Sequence, residues 1–411
     1  MIRAYSYILS LIKQKYTRVL VDQAISSGQN FVFAIIYVRL LGPEVFGKYS
    51  LVLFFGYLLI MLKSSFIGTL LSVNIHKYKI NLFNYQVYVL IKYCIVVLFS
   101  ILISLIALKI NLIERESLHY VQVFFAFFVL FDLIKTYFLA TDKTWSLIVV
   151  DVIFGLVVGV RLYLLNENLT FEYIFLINIQ AYLASFIFVF FCCRVKFYKP
   201  SIRKIIFFYN FEKKSIKHLT LSVLMQWSSA RIGFFVLSFY YGVAQVGIIT
   251  GLLSIIGILN PLFISMDNYI LPKASRSFYN KGVDGATSVI DLVMLRMLFI
   301  ILPVSLIMFI FSGEIVLLVL GQDYSKYSYI FEWLLLVNLL IFMSKKMMYL
   351  INIRHYQDIF TKVYFAMTLM VITLSYLLIK DYGINGFIVM NLLTGFLLIY
   401  LLKFFYKRRL L

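Results

Sequence analysis

The chain has 411 residues, of which 63% are hydrophobic and only 14% charged, with a formal net charge of +20. Soluble domains carry roughly 45–50% apolar and about 25% charged residues. This chain therefore has too little polar surface to stay dissolved as a globule, which excludes an ordinary soluble enzyme or binding module.

The apolar residues fall in blocks long enough to cross a hydrocarbon core of roughly 30 Å, which takes about 20 residues of helix. In chain order the blocks are 19–41, 47–72, 86–108, 119–141, 144–165, 171–193, 217–241, 247–271, 286–311, 327–350, 360–379 and 384–404. They are too long and too evenly apolar for barrel strands, which alternate over about ten residues. The expected fold is an all-α polytopic membrane protein with about twelve transmembrane helices. Residues 1–16 carry Arg3, Lys13 and Lys15 with no small-residue cleavage site before the first block, so that span is expected to be retained. Pro261 and Pro303 fall inside spans eight and nine and are expected to kink them.

Charge placement orients the spans, because Lys and Arg near membrane ends mark the cytoplasmic side. With the amino terminus inside, the inner segments hold twenty-six basic residues and the outer turns five: Lys48, Lys109, Arg115, Lys326 and Lys380. Both termini are expected in the cytoplasm. The basic run 194–217 reads as a cytoplasmic loop facing anionic lipid headgroups rather than nucleic acid. Cys94, Cys192 and Cys193 lie in or beside apolar blocks, and His76, His119, His218 and His355 are scattered without metal-ligand spacing. No metal and no cofactor are expected.

That same run divides the chain into a six-helix lobe over 1–193, a linker over 194–217 and a second six-helix lobe over 218–411. Six spans per half is the parallel kind of transporter repeat. Two glycine turns support it. Gly42-Pro43-Glu44-Val45-Phe46-Gly47 follows the first span of one half, and Gly242-Val243-Ala244-Gln245-Val246-Gly247 follows the first span of the other, 200 residues on. Glycine suits tight reversals and close helix approach.

The stretch Arg39-Leu40-Leu41-Gly42-Pro43-Glu44-Val45-Phe46-Gly47 resembles the Arg-x-Leu-Gly-Pro-x-x-Phe-Gly turn of Wzx-like O-antigen flippases. These form a branch of the multidrug/oligosaccharidyl-lipid/polysaccharide exporter superfamily. Pro272-Lys273-Ala274-Ser275-Arg276, Gly321-Gln322-Asp323-Tyr324 and Gly383-Ile384-Asn385-Gly386 resemble further motifs of that family, in order. Many relatives carry an acidic residue before the span-seven arginine, where this chain has Ala230-Arg231. The resemblance implies a MATE-like pair of lobes around a central cavity. It implies alternating-access movement of undecaprenyl-pyrophosphate-linked oligosaccharide to the outer leaflet of the bacterial inner membrane. The partners it implies are that lipid-linked sugar, membrane lipids, an O-antigen polymerase and a chain-length regulator.

Ionisable groups inside a bilayer are costly and usually face a wet path or each other. Arg231, Lys63, Lys92 and Arg296 are the candidates for that path. Arg231 leads because its guanidinium matches phosphate bidentately; its structural alternative is a polar partner such as Gln29 or Asn30. Arg39 and Arg161 read as snorkelling at span ends. Asp132 and Lys135, three apart, are expected to neutralise each other, while Asp291 and Arg296, five apart, make a poorer pair. Asp291 and Asp132 are the candidates for ion coupling, and Asp22, Asp151 and Asp267 lie near cytoplasmic span ends. Competing readings are a drug/cation antiporter, a peptidoglycan-precursor flippase and, outside transport, a polysaccharide polymerase. The outer loops near 109–118 and 312–326 are short for such an enzyme.

Overall fold

The computed structural model describes residues 15–68, 71, 82–141, 143–165, 169–192, 201–354 and 356–410. Arg3, Lys13, His76, Lys77, Lys79, Cys193, the basic residues of 194–200 and His355 lie outside them. Every regular element among the described residues is helical.

Helix α1 runs Lys15–Lys63 and passes into a π-helical turn, Ser64–Gly68. Then come α2 (Leu82–Lys109), α3 (Leu118–Ala140), α4 (Thr144–Leu165) and α5 (Phe171–Cys192). Helix α6 (Ile202–Tyr241) is followed by α7 (Val243–Ile256) and α8 (Asn260–Ile310). Two short helices, α9 (Ser312–Leu320) and α10 (Gln322–Ser325), lead to α11 (Ser328–Ile353), α12 (Asp358–Leu374) and α13 (Lys380–Leu410).

Eight helical stretches among the described residues are long and apolar enough to cross a membrane. Three of them, at 48, 68 and 52 residues, exceed one crossing, and each contains a glycine with non-helical backbone: Gly42, Gly282 and Gly383. Large apolar side chains stand exposed along these helices, among them Leu98 at 62%, Leu156 at 63%, Phe190 at 79% and Phe299 at 73%. In water such patches would drive association; against lipid chains they cost nothing. The protein is a multi-pass membrane protein.

Two local expectations change. The basic run read as a loop is helical from Ile202 onward, because α6 buries Phe208 and Glu212 on one side and carries exposed apolar and basic side chains on the other. Pro261 lies where the apolar stretch Val243–Ile310 changes from one helix to the next. It stands in the first turn of α8, after the 3-10 turn Gly257–Leu259, where proline's missing N–H is an orphan anyway. Pro272 and Pro303 do lie inside α8.

The chain forms two compact units, one of Met1–Gln29 with Leu51–Leu224 and one of Asn30–Ser50 with Met225–Leu411. In the first, α4 packs on α5, and α3 on both α5 and α2. Its core is strongly aromatic: Tyr182 lies 5.0 Å from both Phe131 and Phe154 by ring centroid, and Phe124 lies 5.1 Å from Phe175. In the second, α11 packs chiefly on α13 and α8, with Phe234 and Phe387 at 4.7 Å.

Candidate functional site

Both glycine turns lie in the second unit. Gly42 and Gly242 have φ of 68° and 86°, a region L side chains rarely adopt, so each turn ends one helix and starts the next. Five residues later Gly47 and Gly247 touch. A Cβ on Gly47 would strike the carbonyl oxygen of Val243, and one on Gly247 that of Pro43. The two contacts are reciprocal, each reaching the residue four before the partner glycine. Beyond them Ser50 Oγ and Thr250 Oγ1 lie 3.0 Å apart, each also bonded back to its own helix, to Phe46 and Val246.

Arg39 is exposed, and its guanidinium caps a helix end. Its Nε donates to the Val319 carbonyl at 2.8 Å and its Nη2 to that of Leu318. These are among the last carbonyls of α9, which have no partner within their own helix and attract a cation. The next turn begins at Gly321, and Tyr324 packs its ring against Gly251. Tyr324 is 1% exposed, and burial holds its hydroxyl well above the usual phenol range. Residues of two of the quoted motifs, 39–47 and 321–324, thus gather around α7 and α9 in this unit.

The embedded charges of the first unit are paired across helices rather than along them. Asp132 and Lys135 part company: Asp132 binds Lys63, whose Nζ also donates to Thr136 at 3.0 Å, while Lys135 binds Asp151 at 2.6 Å. Neighbouring helices supply both partners in place of the pair along α3. Lys63 is 2% exposed, so it lies within the helix packing. Lys92 is equally enclosed. Its Nζ donates to Glu212 at 2.5 Å and to the Phe66 carbonyl at 2.7 Å, 4.2 Å from the Tyr88 ring centre. The Tyr85 hydroxyl donates to the other Glu212 oxygen at 3.1 Å. Glu212 was absorbed in the basic run, and its one signal was being the lone acid between 194 and 217.

The same unit holds a less settled group. Asp22 is fully buried, and no donor among the described residues reaches either carboxyl oxygen. Its neighbour is the carboxyl of Asp151, with Lys135 close by. Lys135 also reaches Ser26 at 3.3 Å, and Gln29 donates to the Asp151 carbonyl at 3.0 Å, so Gln29 serves Asp151. Among the described residues two neighbouring acids thus share one lysine, an arrangement that favours uptake of a proton or a cation.

In the second unit Asp267 accepts both contacts of Lys345, at 2.8 and 2.7 Å, and the hydroxyl of Tyr349. The adjacent Lys346 turns to Asp291 at 2.6 Å. Asp291 therefore pairs with α11 rather than with Arg296, which is exposed. Two successive lysines tie α11 to α8 on both sides of Gly282. Arg231 is half-exposed on α6, with its guanidinium 5.9 Å from the Phe234 ring centre. Above it Ile232, Phe235, Val236 and Phe239 join Ile372 and Tyr376 around an apolar groove of about 430 Å³.

No protein-family model matches the chain, and no curated protein matches it. Solved structures do. The lipid II flippase MurJ in an inward closed conformation superposes with a TM-score of 0.74 at 12% identity, over 96% of this chain and 87% of that one. An inward-facing multidrug resistance MATE transporter of the MOP superfamily gives 0.70 at 14%, over 96% and 99%. A MOP superfamily transporter from Pyrococcus furiosus, described by a binding pocket of reversed polarity, gives 0.62 at 13%, over 96% and 95%.

The chain has the fold that these solved structures share. That fold accounts for the helical make-up and for the length of chain matched.

Proposed function

We propose that this protein flips undecaprenyl-pyrophosphate-linked O-antigen or related polysaccharide repeat units to the periplasmic leaflet of the bacterial inner membrane, by alternating access. Twelve crossings with both termini cytoplasmic complete the reading. The observation that carries it is the full-length match to a flippase and to transporters of one superfamily, combined with a basic balance of embedded charge. A pyrophosphate and its sugars cannot cross hydrocarbon unaided, since each unpaired polar group costs several kcal/mol there. Arg231 and Arg296 are the arginines of the reading that suit phosphate. Lys63 and Lys92 sit within ion pairs, so their part is to hold helices unless those pairs open.

For ion coupling, Asp132 and Asp291 are each held by a lysine, whereas Asp22 faces a second acid. Proton or cation uptake at Asp22 and Asp151 is therefore the better supported route. A drug/cation antiporter is the second reading, favoured by the MATE neighbours and opposed by the basic balance.

The test removes the gene and follows lipid-linked repeat units by leaflet. Accumulation on the cytoplasmic side, reversed by the wild-type gene, is the expected result. Undiminished surface polysaccharide in the deletion strain sinks the proposal.

A further inference from the structure

The amino-terminal third of α6 has two unlike sides. Phe208 and Glu212, 2% and 1% exposed, face inward against Tyr85, Tyr88 and Lys92. The Phe208 ring lies 5.2 Å from Tyr85 and 5.9 Å from Tyr88. The other side carries Ile202, Ile206 and Phe207, which are 72%, 53% and 57% exposed. Among them stand Arg203, Lys213 and Lys217, all exposed. Helical spacing puts Arg203, Ile206, Lys213 and Lys217 on one outward ridge, opposite Phe208.

We propose that this outward side of α6, built on Arg203, Lys213, Lys217, Ile202 and Ile206, is a binding surface for the headgroups of anionic bilayer lipids. The mixture decides the partner. A helix that shows bulky apolar side chains and basic ones together lies in a membrane interface, apolar groups in the acyl boundary and cations at the phosphates. A nucleic-acid surface would use the cations and leave Ile202 and Ile206 in water. The inward face explains why the surface matters to the rest of the unit. Glu212 joins the same helix to Lys92, so lipid that seats α6 also seats the Lys92–Glu212 pair. The inference does not depend on the cargo.

The experiment uses the full chain, purified in neutral detergent and stripped of lipid, and titrates it with phosphatidylglycerol or phosphatidylcholine while bound lipid is read by native mass spectrometry. Wild type should bind phosphatidylglycerol at least about tenfold more tightly. At about 1 kcal/mol per basic residue, Arg203→Gln, Lys213→Gln and Lys217→Gln together should weaken that binding roughly 100-fold. A second variant, Ile202→Ser with Ile206→Ser, keeps every charge and should still weaken binding about tenfold. Equal binding of the two lipids, wild-type binding in either α6 variant, or preference for a short RNA over phosphatidylglycerol would overturn the proposal.

Discussion

Ser50 and Thr250, 200 residues apart, share a hydrogen bond of 3.0 Å just beyond the point where Gly47 and Gly247 meet backbone to backbone. A methyl group added to either glycine has nowhere to go, because the obstructing atoms are carbonyls and not movable side chains. Overpacking of this kind costs roughly 1–3 kcal/mol and more where backbone must shift. Gly47→Ala and Gly247→Ala are expected to lower the melting temperature in detergent sharply. Gly159→Ala, in open space on α4, is expected to be neutral or slightly stabilising, and equal effects at all three sites would refute the crossing.

Glu212→Ala leaves the Lys92 ammonium buried without its counter-charge. Breaking a buried pair from one side costs about 3–5 kcal/mol, whereas replacing both partners by apolar groups is often near neutral. The double change Lys92→Met with Glu212→Leu should therefore melt higher than Glu212→Ala alone. The opposite order would mean that the pair is not the element that holds α6 to α2.

Asp22→Asn removes one of two adjoining acids and with it a repulsion that no described donor relieves. The variant should fold at least as well as wild type. In proteoliposomes it should lose the dependence of transport on an imposed proton or sodium gradient. A retained gradient dependence, at wild-type protein level, would place coupling elsewhere.

Tyr324 is buried with a hydroxyl that no described group accepts from or donates to. Tyr324→Phe discards an unsatisfied polar group while keeping the ring against Gly251, so stability should be unchanged or rise by about 1 kcal/mol. Burial raises the folded-state pKa of this phenol, which ionises more readily in the unfolded chain. Wild type should accordingly lose stability above about pH 10, and Tyr324→Phe should lose less. Equal alkaline losses in thermal melts would refute the assignment.

Arg231→Ala should reduce surface polysaccharide strongly, and Arg231→Lys should restore it only in part, since lysine offers a point charge in place of a fork. Full export by the alanine variant at normal protein level would remove Arg231 from the cargo path.

The helical membrane fold was legible because it depends on block length and apolar content, which a sequence states directly. The glycine turns were legible too, as spacing, though not their mutual contact. Pairing was not. Asp132 and Lys135 look like partners along a helix, and only the packing of neighbouring helices sends one to Lys63 and the other to Asp151. Arg39 looked like a snorkelling side chain because the α9 carbonyls it satisfies lie about 280 residues away. Glu212 was hidden by its basic neighbours Lys213 and Lys214, which offer nearer charges along the chain than Lys92, 120 residues away.

The crossing of Gly47 over Gly247 has an evolutionary consequence. Each turn is the wall against which the other is fitted, so neither can gain a side chain while the backbone of the other stays as it is. Two stretches of gene separated by 200 codons are in this respect a single heritable character, and any lineage that enlarges one must reshape the other in step.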